Sequence, residues 1–258
     1  MKILCMGDVV GAPGREVLAS TLPGYRAENG VDFCVTNVEN IAAGSGVTKS
    51  GYRAVRLAGA DVCTTGDHVY RRADVLKLFE NEPRRILRPL NYPKTAAGLG
   101  MTTVESNGGV PVTVINLQGR VFMDPTDNPF DAVDEAIEKC ESKIIIVDMH
   151  AEATSEKRAM GFHLDGRASI VFGTHTHVPT ADDEILPGGT AYVTDVGMCG
   201  PYRSVIGRKV ESVLVKFRSN MYAPFHVAEG DPRACGILVE VDEETGRASS
   251  IERVVLKA

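Results

Sequence analysis

The stretch Gly173-Thr174-His175-Thr176-His177 sets two imidazoles two residues apart, directly after the apolar run Ala168-Ser169-Ile170-Val171-Phe172. The length and β-branched content of that run predict a buried strand, so the histidines stand at its carboxyl end. In an extended chain residues i and i+2 face the same side, and both rings are expected to reach one cavity. Neutral imidazole is the commonest metal-binding side chain near neutral pH. The pattern recurs upstream. Lys2–Met6 reads as a strand running into Gly7-Asp8, Asp32–Asn37 as one running through Val38 into Glu39-Asn40, Asp61–Thr65 as one ending in Gly66-Asp67-His68, and Lys143–Met149 as one ending in His150. A short apolar strand that repeatedly delivers a metal-competent group just past its last residue is more than a set of helix caps requires. Asp8, Glu39, Asn40, Asp67, His150, His175 and His177 offer carboxylate, amide and imidazole donors. That mixture suits Mn²⁺, Fe²⁺ or Zn²⁺ better than Ca²⁺ or a thiolate-bound zinc. The set is too large for one tetrahedral site and favours two ions sharing a bridging carboxylate. His163 and His226, the two histidines outside this pattern and His68, read as surface or satisfied core residues.

The elements that must carry these groups follow from the rest of the chain. Between the strands lie predicted helices over Arg15–Glu28, Ser50–Ala58 and Arg72–Glu82, then a turn over Pro125–Pro129 opening a helix to about Cys140, with Pro129 in its first turn. Val110–Leu117 reads as a strand, Asn91–Ser106 as mixed turn and short strand, and a helix is expected to begin within Ala151–Lys157. Thr190–Asp195 follows, then a loop over Gly197–Tyr202, an unassigned segment over Glu211–Arg218, and a closing hairpin of Gly236–Asp242 and Ile251–Leu256. Early alternation of strand and helix with later local pairing predicts a layered α/β fold with a mixed sheet or two packed sheets. Gly7–Gly14 does not spell Gly-x-Gly-x-x-Gly, so a dinucleotide fingerprint is absent.

Composition narrows the function. A chain of 258 residues, 43% hydrophobic and 24% charged, is ordinary for a soluble globular protein, and a single domain over 1–258 is expected. There is neither an apolar run long enough to span a bilayer nor a signal-peptide core near Met1, so the protein is expected in the cytoplasm. Six scattered cysteines without a Cys-x-x-Cys pair read as reduced packing residues. A formal net charge of −6 with no dense basic block argues against an extended nucleic-acid surface. Lys157 and Arg203 read as solvated surface charges, and the Gly197–Tyr202 loop as either a tight structural turn or a flap over substrate.

The order Gly7-Asp8, Glu39-Asn40, Gly66-Asp67-His68, a lone His150 and Gly173-Thr174-His175-Thr176-His177 resembles the five motifs of the calcineurin-like metallophosphoesterases. The segments Val38–Gly44, Met149–Lys157 and Thr194–Tyr202 resemble more closely their YmdB-like bacterial branch, over nearly the full length. The resemblance implies a four-layer sandwich of two packed mixed β-sheets flanked by helices. It further implies a phosphodiesterase acting on small cyclic nucleotides such as 2′,3′-cyclic AMP through a metal-bridging hydroxide, and a homo-oligomer. Carried over residue by residue, it sets one ion (iron or manganese, with zinc as an alternative) on Asp8, Glu39, Asn40 and His177, and the second on Glu39, Asp67, His150 and His175. His68 becomes the acid for the leaving group. The superfamily usually opens Asp-x-His, whereas Val9-Val10 follows Asp8 here, with Asn40 as the substitute ligand. Its third motif usually reads Gly-Asn-His, and the ionisable Asp67 at that place predicts a relative preference for monoanionic diesters over dianionic monoesters. Two other readings exist. Metal-dependent amidohydrolases also use His-x-His, but close the first strand of a barrel with it. A regulatory protein that binds nucleotide or RNA-processing machinery through a non-catalytic metal site would carry the same ligands.

Overall fold

The computed structural model describes residues 1–258. Strand β1 (Lys2–Met6) shows how the layers arise, because alternate side chains of a strand face opposite ways. Leu4 and Met6 join one buried cluster, with Val17, Leu18 and Leu22 of helix α1 (Gly11–Asn29), Tyr52 and Val55 of α2 (Lys49–Ala58) and Val75 and Leu78 of α3 (Asp74–Asn81). Ile3 and Cys5 face the other way, into a cluster with Val112, Ile144, Ile146, Ile170 and Phe172. A third cluster takes the opposite face of those last strands, joining Ile145, Val147 and Val171 to Val133 of α4 (Pro129–Ile137) and Met160 of α5 (Thr154–His163). Helices, sheet, sheet and helices therefore stack as the four layers expected, and both sheets are apolar on both faces because both are covered.

The first sheet runs β2 (Asp8–Val9), β11 (Met198–Pro201), β12 (Pro232–Val241), β1, β3 (Phe33–Asn37), β4 (Val62–Thr64), with β13 (Ala248–Lys257) also on β12. The second runs β5 (Met101–Glu105), β6 (Pro111–Gln118), β7 (Ile144–His150), β8 (Ile170–Thr174), β10 (Ala191–Val193), β9 (Glu184–Ile185). Both are mixed: β1, β3 and β4 are parallel, as are β6, β7, β8 and β10, while β12, β5 and β9 join antiparallel. The parallel strands of each sheet bring their carboxyl ends to one rim, where open α/β sheets hold ligands.

Several local expectations change. Helix α1 begins at Gly11 rather than Arg15, since Pro13 in the first turn lacks only an N–H that has no helical partner anyway. The unassigned Glu211–Arg218 lies in a helix, α6 (Val210–Ser219), of which Val213 alone is buried. Most of Gly197–Tyr202 is strand β11, parallel to β2 and antiparallel to β12. Four residues containing Gly and Pro carry no periodic signal, and the segment is strand only because two neighbours pair with it. Built into the sheet and buried, β11 is no flap. The closing hairpin is as expected, with longer arms. None of the cysteines is bonded, and five of the six are buried. No helix is long and apolar enough to cross a membrane.

Candidate metal centre

Asp8 opens β2, His150 ends β7, and Glu39-Asn40, Asp67-His68 and His175-His177 lie in the turns after β3, β4 and β8. All eight meet at the rim. Ligand atoms of Glu39, Asp67, His150 and His175 lie within 4.8 Å of one another. His150 Nε2 is 3.2 Å from Asp67 Oδ1, 3.3 Å from Glu39 Oε2 and 3.1 Å from His175 Nδ1. The remaining donors adjoin this group. His177 Nε2 lies 3.2 Å from Asn40 Nδ2 and 3.8 Å from Asp8 Oδ1, and Asn40 Nδ2 donates to Glu39 Oε1 at 3.1 Å. The Asn40 carbonyl oxygen lies 2.8 Å from His68 Nδ1. Glu39 thus touches His150 through one carboxylate oxygen and Asn40 through the other. His68 closes one side, with Nδ1 3.1 Å from Glu39 Oε1 and Nε2 3.6 Å from Asp67 Oδ2.

The donor set fits divalent cations on an observation independent of its residue types. Asp8 is fully buried and its Oδ1 has no hydrogen-bond partner, whereas Oδ2 accepts from the His175 N–H at 3.1 Å. An orphaned buried carboxylate oxygen costs on the order of 1–3 kcal/mol or more and calls for a positive partner. Electrostatics agree. Burial pushes the Glu39 and Asp67 carboxyls up, but the neighbouring histidines, His150 foremost, outweigh it and hold both below the usual carboxylate range. Burial likewise disfavours charge on His150, yet Glu39, Asp67 and Asp8 raise it well above an ordinary imidazole. The carboxylates seek a cation, and a protonated histidine supplies one.

A second ring of residues aims the first. His150 Nδ1 donates to Thr174 Oγ1 at 2.8 Å and the Thr174 hydroxyl to Asp148 Oδ1 at 2.7 Å, which directs Nε2 at the cluster. Asp148 also accepts from the Thr64 hydroxyl and from Asn37 Nδ2, the latter at 3.1 Å; burial pushes its carboxyl up to about 6, against His150 and the two hydroxyls. His177 Nδ1 donates to Ile206 O at 2.9 Å, and His175 Nε2 faces Glu152 Oε2 at 3.3 Å. Ring nitrogens occupied on the outside are the usual way to fix the tautomer of a ligating histidine. Gly66 lets the two sheets meet here, because a Cβ at that position would overlap the His150 ring and the Glu39 carboxylate.

The two histidines after β8 converge, though not as an extended pair. His175 has φ +96° and His177 φ +65°, left-handed backbone that non-glycine residues adopt at a cost. The turn is held by Asp195, whose Oδ2 accepts from the Thr176 N–H at 3.1 Å and hydroxyl at 2.8 Å. Lys157 Nζ meets the same oxygen at 2.7 Å, and both side chains are buried. Lys157 is therefore a structural counter-charge and not a solvated one, whereas Arg203 is exposed as expected. Lys157→Met is expected to lower stability by about 3–5 kcal/mol, read from urea unfolding, because Asp195 is left as an uncompensated buried charge; an unchanged midpoint would refute this role. Sequence reasoning missed Asn37, Thr64, Asp148, Thr174, Asp195 and Lys157. The available signal was a charged residue, Asp148, inside the most apolar strand, since buried charges are retained only with partners.

Residues 4–254 match the model of the YmdB-like protein family. The chain belongs to that family. This YmdB-like chain is 43% identical over 258 residues to a 2′,3′-cyclic-nucleotide 2′-phosphodiesterase of Bacillus subtilis, covering 99% of this chain and 97% of the relative. It superposes on the crystal structure of a phosphatase from Mycoplasma pneumoniae with a TM-score of 0.93 at 35% identity, covering 100% and 93% of the two chains. The calcineurin-like phosphoesterase YfkN of Bacillus subtilis matches at a TM-score of 0.52 and 13% identity, covering 100% of this chain and 90% of YfkN, and shows the shared fold alone. The YmdB-like chain thus has the calcineurin-like phosphoesterase fold, as its motif order implied.

Proposed function

We propose that this YmdB-like protein hydrolyses small phosphodiesters, with 2′,3′-cyclic nucleotides as the substrate class, at a centre of two divalent ions. That the chain is a phosphoric diester hydrolase follows from its relatives. The observation that carries the proposal is the convergence of Glu39, Asp67, His150 and His175 beside the orphaned Asp8 oxygen. Asp8, Glu39, Asn40 and His177 would hold one ion, and Glu39, Asp67, His150 and His175 the other, with iron or manganese favoured and zinc as an alternative. Bound ions of this kind neutralise phosphoryl oxygens and make water a nucleophile near neutral pH. The chain's own residues supply the rest. Asp148 and Thr174 keep the His150 lone pair on the cluster, the Ile206 carbonyl does so for His177, and His68 delivers a proton to the departing ribose oxygen. Three carboxylates against two divalent ions leave one positive charge fewer than an amide at position 67 would. This favours the monoanionic diester over the dianionic monoester.

The test is hydrolysis of bis(p-nitrophenyl) phosphate against p-nitrophenyl phosphate by chelator-stripped protein, before and after Mn²⁺ or Fe²⁺ is restored, followed by 2′,3′-cyclic AMP. Metal-restored activity favouring the diesters is expected. Absence of turnover despite two bound ions would overturn the reading in favour of a regulatory metal-site protein.

The same proposal includes a homo-oligomer. The exposed side of α6 carries Val210, Leu214 and Phe217, continued by Met221, at helical spacing. Glu211 and Arg218 share a face with Leu214 and Val215, so an antiparallel second copy about a two-fold axis would set Glu211 of each copy opposite Arg218 of the other. Leu214→Asp is expected to convert a dimer to single chains by light scattering; a wild-type protein already monomeric at micromolar concentration would exclude this face as the interface.

A further inference from the structure

Tyr92 stands near the Asp67 and Glu39 carboxylates, and Tyr70 packs against its ring. Residues 66–71 form successive tight turns, the Val69 N–H donating to Gly66 O at 3.1 Å and the Arg71 N–H to His68 O at 3.0 Å. Tyr70 follows Asp67 by three residues within these turns, and its ring packs against Tyr92. Tyr92 arrives by another route. Its hydroxyl donates to Gln118 Oε1 at 2.7 Å, and Gln118, the last residue of β6, is the register partner of His150 in β7. Burial pushes the Tyr92 phenol up, and the nearby Asp67 and Glu39 carboxylates add to that.

The two rings form one surface. Their centroids are 6.0 Å apart with planes tilted by 43°, and Phe79 meets Tyr70 edge-on at 6.4 Å and 71°. The Tyr70 hydroxyl donates to Ala97 O at 2.6 Å. The ring is held by its hydroxyl and by two aromatic neighbours, yet Tyr70 remains 39% exposed. An exposed aromatic fixed in advance loses little conformational freedom when a ligand covers it. With both hydroxyls engaged by the protein, the π-face is what these side chains offer.

We propose that the Tyr70 ring, backed by Tyr92, is the stacking surface for the base of a nucleotide whose phosphodiester lies on the Asp67–His150 side of the cluster. The inference rests on the phosphodiesterase reading and deepens it, by assigning the nucleoside half of the substrate to a place. Stacking reads area and not hydrogen-bonding edges, so the site accepts any base and favours purines.

The experiment compares kcat/KM for 2′,3′-cyclic AMP with that for the 2′,3′-cyclic phosphate of methyl riboside, which lacks a base. Stacking on an aromatic side chain is worth about 1–3 kcal/mol per base. Tyr70→Ala is therefore expected to lower the ratio of the two kcat/KM values by roughly 5–150-fold, through KM for the nucleotide. Tyr70→Phe, which keeps the face and loses the Ala97 bond, is expected to retain the ratio. An unchanged ratio in a folded Tyr70→Ala protein overturns the proposal, as does an equal loss on both substrates, which marks a structural role. Wild-type protein inactive on both substrates with ions restored refutes the phosphodiesterase reading instead. Equilibrium binding of 3′-AMP then decides the stacking surface, with tenfold or greater weakening in Tyr70→Ala supporting it and equal affinity refuting it.

Discussion

Glu39→Ala is expected to abolish turnover and to release metal from both halves of the centre. The carboxylate is 1% exposed and faces His150 at 3.3 Å through one oxygen and His68 Nδ1 and Asn40 Nδ2 at 3.1 Å through the other. Glu39 touches His150 through one oxygen and Asn40 through the other, which is the contact pattern the shared-carboxylate proposal needs. Loss of a merely supporting partner costs a metal site about 10–100-fold in affinity or activity. Removing the shared carboxylate should exceed that for each ion and leave less than one ion per chain by elemental analysis after dialysis. Because Glu39 Oε2 also accepts the His68 N–H at 3.0 Å, Glu39→Gln serves as the companion variant. It keeps a neutral acceptor for that N–H and should fold normally while still losing metal. Full metal occupancy in either inactive variant would remove Glu39 from the bridging position.

His68→Ala should behave in the opposite way, losing roughly 10²–10⁴-fold in kcat while keeping its metal content. The His68 ring is the more accessible side chain, 27% exposed beside nearly buried Glu39, and its Nδ1 is engaged by Asn40 Oδ1 at 2.8 Å and Glu39 Oε1 at 3.1 Å. In the proposed role Nε2, 3.6 Å from Asp67 Oδ2, is the proton donor toward substrate. Burial works against the charged ring, but Glu39 and then Asp67 prevail and raise His68 above an ordinary imidazole, which favours the protonated form. The sign of the pH dependence follows. In wild-type protein kcat should fall as pH rises through that raised pKa, and this alkaline limb should be missing from the residual activity of His68→Ala. Loss of metal from His68→Ala, or an unaltered limb, would show that His68 is a ligand or a bystander.

Which parts of this protein were legible in its sequence follows from the range of the forces involved. Apolar strands carrying a polar group at their carboxyl ends are local patterns, so Asp8, Glu39, Asn40, Asp67, His68, His150, His175 and His177 could be collected before any packing was known. The motif order likewise implied the family and its four layers, as the matching family model and the two covered sheets bear out. Tertiary structure decided what no window of sequence contains. Met198–Pro201 is a strand only because β2 and β12 lie on either side of it. Lys157 is buried because Asp195, distant in sequence, needs a counter-charge, and Asp195 is there to hold the Thr176 turn. His175 and His177 converge through left-handed backbone and not through strand alternation, a strain that only the surrounding contacts can sustain. Residue types and spacing determined which chemistry this chain can perform. The aim of each side chain was set by long-range hydrogen bonds among buried groups, since a buried polar atom must find its partner wherever the fold brings one.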